Sequence, residues 1–333
     1  MDPRRLVELL RIAEHGSYTR AAAAQGISQP ALSNSIAILE KSLGVRVLER
    51  TRHGATLTEF GRLLTTYAEA LQSLLSRAAD DVRLKKLGME GSLVVGVSPV
   101  ACVELVPNAI ARLKRETPNI LVLIHEWPDD QLLAGVRTGE IDAMISPAGP
   151  FSDPPEVERE TLLHDVAIVI VQPRNELARR KSVSLKELRD AQWVLPSSHT
   201  AMWRHIEALF AAESVPWPVN YVSTNSITAL KSLVMCTDSV SISSRKLMKP
   251  EFEAGYLACV PLRRPHFVRE ITLRTRRDIA LSPLTQRFVA AVRAVAAEMG
   301  QVGETGSPQA GRATSRPRRT GRPVRARRDR TSS

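Results

Sequence analysis

The stretch SYTRAAAAQGISQPALSNSIAILEKSLG, residues 17–44, decides how the first part of this chain folds. Thr19 to Gln25 reads as a short Ala-rich helix, and Gly26 stands where that helix stops and the chain reverses, a position that favours positive φ. Ser28 is then a natural N-cap, and Pro30 is tolerated because first-turn N–H groups have no helical partner. Leu32, Ile36, Leu39 and Leu43 recur at i, i+4, i+7 and i+11, which makes one apolar stripe to bury. The other face opens with Gln29, Pro30, Ser33 and Asn34, short or amide side chains at a helix N-terminus, where base edges and phosphates can be met. The pattern is that of a helix-turn-helix with a recognition helix; the plain alternative is an antiparallel helix pair with a solvated polar face.

The next segment of the chain favours the recognition helix. VRVLERTRHGATLT (45–58) holds two short β-capable runs around Arg50, Arg52, His53 and Gly54, the pattern of a hairpin whose tip carries cations. Such a wing sets Arg50 and Arg52 against phosphates or the minor groove, unless it is merely an exposed hairpin with no ligand. Phe60, Leu64, Tyr67, Leu71, Leu74 and Ala78 come after it at spacings of 4, 3, 4, 3 and 4, a heptad seam along a helix of residues 59–88. That seam either pairs two copies of the chain or packs on its own domain.

Composition bounds the rest. At about 150 residues per domain, 333 residues make two or three domains, and with 43% hydrophobic and 24% charged residues the chain is an ordinary globular one. No apolar run approaches the roughly 18 residues that span a bilayer. Arg4, Arg5, Glu8, Arg11 and Glu14 interrupt any apolar centre of a secretory signal, so a cytoplasmic location is expected. Cys102, Cys236 and Cys259 have no pairwise spacing that metals or disulfides favour and read as buried structural thiols in a reducing compartment. The net charge of +11 says little about the folded part, because residues 304–333 carry nine arginines against Glu304 and Asp329. With Gly, Ser, Thr and Pro between them, residues 301–333 read as a disordered basic tail that binds phosphates without reading sequence, or simply aids solubility.

Between Gly91 and Gly300, β-branched runs (92–97, 120–126, 141–145, 166–171, 219–223, 239–243, 257–262, 268–274) alternate with amphipathic ones (102–116, 129–137, 184–190, 201–213, 225–235, 283–298). The alternation argues for an α/β domain of mostly parallel sheets covered by helices. In open α/β sheets ligands bind off the carboxyl ends of strands. Ser98 and Val100, then Trp127, then Ser146 follow three of those runs, and Ser197, His199, Thr200 and Thr224 take similar places in the later half. Each hydroxyl alone is as readily an N-cap; their convergence from two half-domains favours a pocket. Hydroxyls and helix N-termini suit a carboxylate, so a small organic anion is the expected ligand, with His199 either adding charge near its pKa or serving only as a loop residue.

The run AAAAQGISQPALSNSIAILEKSLGVRVLERTRHGATLTEFG resembles the winged helix-turn-helix of LysR-type bacterial transcriptional regulators, in ISQPALS, the LE pair at 39–40, LGVRVLER and LTEFG above all. The resemblance implies major-groove contacts from Ser28, Gln29, Pro30, Ser33 and Asn34, with Arg50 and Arg52 on the wing. It also implies three parts ahead of the tail: a winged helix-turn-helix at 1–58, a linker and dimerisation helix at 59–88, and a two-lobed periplasmic-binding-protein-like effector domain at 91–300. Lobe one then covers 91–163 and 267–300 and lobe two covers 164–266. The expected partners are double-stranded DNA, a small-molecule effector, further copies of the chain in a homodimer or homotetramer, and RNA polymerase, but no membrane.

Catalysis has no handle. The seven histidines form no HExxH, no GxSxG elbow is present, and no GxGxxG follows a strand, so neither a catalytic group nor a metal nor another cofactor is expected. Two other readings stay open: a small-molecule binding protein that uses its N-terminal region only to dimerise, and an architectural DNA binder that ignores sequence.

Overall fold

Asp2 accepts a hydrogen bond from the Arg4 backbone N–H at 3.0 Å and starts α1 (Pro3–His15). Next come α2 (Tyr18–Gln25), ended by Gly26 at φ +66°, and α3 (Gln29–Leu43), capped by the Ser28 hydroxyl, which accepts from the Ala31 N–H at 3.3 Å. The computed structural model describes residues 1–51, 54–149, 152–198, 200–263 and 268–305. β1 (Leu48–Thr51) and β2 (Gly54–Leu57) pair antiparallel as the wing, with Leu48 opposite Leu57. Leu9, Ile12, Leu32, Ile36, Leu39 and Val47 close into one small core, each worth about 1.5–3 kcal/mol of burial. Leu43 does not join them: it is 37% exposed, because the last turn of α3 runs past the core before Gly44 reverses the chain.

The helix α4 (Glu59–Lys86) starts from Thr58, whose hydroxyl oxygen accepts from the Gly61 N–H at 3.0 Å. Its apolar face divides differently from the expected seam. Leu64 and Ala68 pack on Leu6 and Leu10 of α1, and Leu71 is half-buried facing residues 138–142 and 276–285 of the second domain. Phe60, Leu63, Tyr67, Leu74, Leu75 and Val82 are the exposed ones, Tyr67 by 61% and Leu74 by 64%. Heptad spacing alone could not tell Leu63 from Leu64; the position of α1 decides it.

The second domain begins β3 (Gly91–Val97), α5 (Leu105–Glu116), β4 (Ile120–Glu126), α6 (Asp129–Thr138), β5 (Ala143–Pro147). The 15-residue β6 (Val157–Val171) comes next. Then come β7 (Trp193–Pro196), α7 (Ala201–Ala212), β8 (Tyr221–Thr224), α8 (Ile227–Cys236), β9 (Ser241–Ser244), α9 (Lys249–Glu253), β10 (Ala258–Val260), β11 (Val268–Arg276) and α10 (Pro283–Thr305). The main sheet runs β10-β6-β11-β5-β3-β4, with β9 also on β6, and β7 pairs β8 beside it.

The expectation of mostly parallel sheets needs correction. β3 is parallel to β4 and β5, and β7 to β8, but β11 runs antiparallel to β5 and β6, and β6 antiparallel to β9 and β10. The reason is connectivity. β6 crosses from one lobe to the other: Val157–Val166 pairs with β11 in lobe one, and Ala167–Val171 pairs with β9 and β10 in lobe two. The chain returns between Val260 and Val268, so β11 re-enters lobe one against the direction of β5.

Smaller differences have local causes. Residues 185–188 form a 3-10 turn held by the Ser184–Glu187 capping box rather than an α-helix. α10 extends to Thr305, so the helix overruns the expected start of the tail at 301, while residues 306–333 lie outside the described residues. None of the cysteines is buried: Cys102 and Cys259 are half-buried and Cys236 is exposed, and all three are free. Burial and the nearby Glu126 carboxylate push the Cys102 thiol up to about 11, so it carries no thiolate near neutrality. Among the described residues no helix is long and apolar enough to cross a membrane, and no cluster of three ligating side chains is placed to hold a metal.

Candidate functional site

The structure presents two sites, an exposed helix face and a cleft. On α3, Ser28, Gln29, Pro30 and Asn34 are exposed and Ser33 is half-buried, so the polar N-terminal face stands clear of the core that Leu32, Ile36 and Leu39 anchor. Two carboxylates hold this helix in place. The Ser35 hydroxyl donates to the Glu8 carboxylate and ties α3 to α1. Glu40 Oε1 accepts from the backbone N–H groups of Val47 at 2.8 Å and Leu48 at 3.3 Å, which locks the wing onto α3. The Leu39–Glu40 pair thus has two separate tasks, one in the core and one at the wing. Arg50 lies in β1 opposite Ala55. Its side chain and all of Arg52 lie outside the described residues.

The second site is a cleft of about 820 Å³ between the lobes. Ser98, Val100 and Trp127 line it from lobe one, at the ends of β3 and β4; Ser197, Thr200 and Thr224 line it from lobe two, at the ends of β7 and β8. Ser146 does not line it. Its Oγ is fully buried beneath Pro147 and accepts from Arg274 Nη1 at 2.9 Å. His199 lies outside the described residues.

The hydroxyls differ in what they are free to do. Thr200 caps α7, accepting from the Trp203 N–H at 3.2 Å and donating to the Ser197 carbonyl at 2.8 Å. Thr224 Oγ1 accepts from the Ser226 N–H at 3.0 Å. Ser98 Oγ is buried and has no hydrogen-bond partner among the described residues.

Sequence reasoning missed the charged groups of the cleft. Arg269 on β11 is buried and lies in register with Asp165 on β6, their Nη2 and Oδ2 atoms 2.5 Å apart. The Ser244 hydroxyl donates to the other Asp165 oxygen at 2.7 Å, so the pair sits in a built polar network where the chain crosses between lobes. Arg269 lines the cleft, and its Nε is buried without a partner among the described residues. A hint existed in VREITLR, where Arg269 shares the alternating face of Ile271 and Leu273. Arg204, in the first turns of α7, and Asp129, at the start of α6, also line the cleft. Burial pushes the Asp129 carboxyl up from the usual carboxylate range, against the pull of Arg274, Arg204 and Arg269. His205, behind Arg204, is pushed down to about 4, chiefly by burial and then by Arg269 and Arg204.

These two sites match known proteins along nearly the whole chain. Residues 3–62 match the family model of the bacterial regulatory helix-turn-helix protein, lysR family, and residues 87–297 match the LysR substrate binding domain. The chain is 28% identical over 292 residues, 87% of its length and 85% of the other's, to the HTH-type transcriptional regulator GbpR of Azospirillum brasilense. It is 30% identical to the SDS degradation transcriptional activation protein of a Pseudomonas strain, over 78% of its own length and 85% of the other's. Among solved structures, the LysR family transcriptional regulator CbnR superposes at a TM-score of 0.58 with 22% identity, covering 89% of this chain and 99% of that one. Full-length BenM superposes at 0.55 with 24% identity, covering 90% and 98%. With both domain models matched in order, and the second alone spanning well over half of the chain, this protein belongs to the LysR family of DNA-binding transcriptional regulators, which join a helix-turn-helix to an effector-binding domain.

Proposed function

We propose that this regulator reads a two-fold symmetric DNA site through Ser28, Gln29, Pro30, Ser33 and Asn34 of paired α3 helices, flanked by wings carrying Arg50 and Arg52. In this reading a small molecule with an anionic group, held between the lobes, sets its activity in the cytoplasm. The observation that carries the DNA contact is the exposure of the polar N-terminal face of α3 on a helix whose other face is anchored in the core. Pairing through the exposed side of α4 supports the symmetry, because palindromic half-sites mirror a protein dyad. Transcription control at such a site works by recruiting or excluding RNA polymerase.

For the effector, the unpartnered Ser98 Oγ and Arg269 Nε, the start of α7 and Arg204 supply donors to a carboxylate from both lobes. α6 supports a route from cleft to DNA. Its first turn, Asp129 and Asp130, lines the cleft, while Thr138 and Gly139 at its other end lie against α4. Arg77 of α4 donates to the Gly139 carbonyl at 2.9 Å. Closure of the lobes shifts α6, and α6 bears on the helix that carries the DNA-reading domain.

Footprinting of the full chain tests the reading. A discrete protected site is expected, and Gln29→Ala should relax base choice within it by about 1–3 kcal/mol per lost bidentate contact. Uniform loss across all sequences would reduce α3 to backbone contact. Diffuse coverage would instead mark an architectural binder, and no protection at all a sensor that uses its N-terminal domain only to dimerise.

A further inference from the structure

We propose that the effector is a zwitterion, its ammonium pole held by the carboxylates at the start of α6 on lobe one and its carboxylate pole held by Arg204 of lobe two with the free donors of Ser98 and Arg269; this rests on reading the cleft as the effector site. The balance of charge in the cleft points there first. Lobe one presents Glu126, Asp129 and Asp130 to the cleft, with Trp127 among them. Against these three carboxylates stand Arg204 and Arg269, and Asp165 already matches the charge of Arg269. A bare carboxylate entering this space would meet more negative charge than positive.

With Arg269 matched by Asp165, the charges left over are also separated in space by the fold. The acids follow β4 and open α6 on one wall, whereas Arg204 belongs to α7 on the other. Acidic residues in a first helical turn commonly just complement the helix dipole and stay in water. Asp129 departs from that pattern: it is half-buried, and no described residue donates a hydrogen bond to its carboxylate. An indole beside carboxylates is the composition that recognises an ammonium group, through the ring quadrupole and through charge. For the opposite pole, two buried donors line the same cleft without partners, Ser98 Oγ and Arg269 Nε.

The consequence for closure is physical. A molecule with one charged pole satisfies one wall and leaves the other unmatched, whereas a zwitterion satisfies both and stabilises the closed form over the open one. Specificity then comes from the unpaired charge that a wrong ligand leaves behind.

The test uses full-length protein and matched probes: each of the twenty protein L-amino acids and glycine betaine, the deaminated carboxylate of each amino acid, and its decarboxylated amine. Thermal shift followed by calorimetry is expected to find at least one zwitterion that binds tenfold or more tightly than both of its single-charge partners. Asp129→Asn should weaken that zwitterion about tenfold while leaving or improving the carboxylate, and Arg204→Gln should weaken both. Carboxylates that bind as well as their parent zwitterions, or a protein stabilised by none of the zwitterions, would overturn the proposal. In the first of those outcomes, sensitivity of the carboxylate to Arg204→Gln and Ser98→Val keeps the cleft as the effector site. Insensitivity to both variants removes the cleft reading itself.

Discussion

Arg77 of the linker helix and Asp142 of lobe one form an ion pair across the domain junction, Nη2 to Oδ1 at 2.6 Å. Asp142 is 7% exposed at its side chain, and its other oxygen accepts from the Val94 backbone N–H at 2.8 Å. The carboxylate is therefore tied both to β3 of the lobe-one sheet and to the helix that leads to the DNA-binding domain.

Removing the cation leaves that carboxylate unmatched. Arg77→Ala should destabilise the junction by about 1–3 kcal/mol, the cost of an unsatisfied buried polar group, softened by partial solvent access at Arg77. Urea unfolding of the full chain measures it. If α6 transmits effector binding to α4, the same variant should bind effector normally while its footprint no longer responds; a footprint that responds as before would end the coupling reading.

The state of His205 gives a pH signature. Its folded pKa is lowered to about 4 from 6.5, so between those values the unfolded chain binds a proton that the folded chain refuses. The stability from keeping it neutral is complete above about 6.5 and is lost as pH falls toward about 4. Asp129 and Asp142, both raised by burial, act in the opposite sense and cancel when variant and parent are compared. The melting temperature of His205→Gln should thus fall less steeply than that of the parent between pH 7 and pH 5; parallel slopes would show that His205 is not held neutral.

Gly61 joins α4 to the wing by close approach. A Cβ there would lie 2.0 Å from the Val47 carbonyl oxygen, which the Thr58 backbone N–H also uses at 3.1 Å. Gly61→Ala should force the first turn of α4 away from the wing and cost about 1–3 kcal/mol, as overpacking does. Loss should appear in the DNA-binding transition of an unfolding curve, with the effector domain unmoved.

The exposed side of α4 places the pairing test. Tyr67→Lys with Leu74→Lys should shift the species towards monomer in analytical ultracentrifugation, since both side chains are mostly exposed in the single chain. Leu64→Lys should instead unfold the N-terminal domain, because Leu64 packs against both of its apolar clusters. An unchanged mass for the double variant would place the contact elsewhere.

Where a structural feature depends on neighbours in sequence, the chain could be read directly. Ser28, Gly26 and the 32-36-39 stripe specify caps and an apolar face within one or two helical turns, and α2, α3 and their turn result. Apolar runs at 92–97 and 120–126 are strands for the same reason. The first half of β6 escaped notice because Glu158, Arg159 and Glu160 interrupt its apolar pattern; the strand forms there because β11 pairs with it from Val157 to Val166, with one register shift at Leu162.

The amino-acid sequence by itself determined the helix-turn-helix, the wing, the long linker helix and most of the strand and helix runs after it, since capping, helical and strand periodicity, and turn chemistry act over a few residues. Tertiary structure alone decided which face of α4 stays open, that Ser146 is buried outside the cleft, and that Arg204 and Arg269 line it. It alone set Arg269 against Asp165, 104 positions earlier. These are matters of register and packing between distant segments, and a buried charge shows its purpose only when the strand beside it is known.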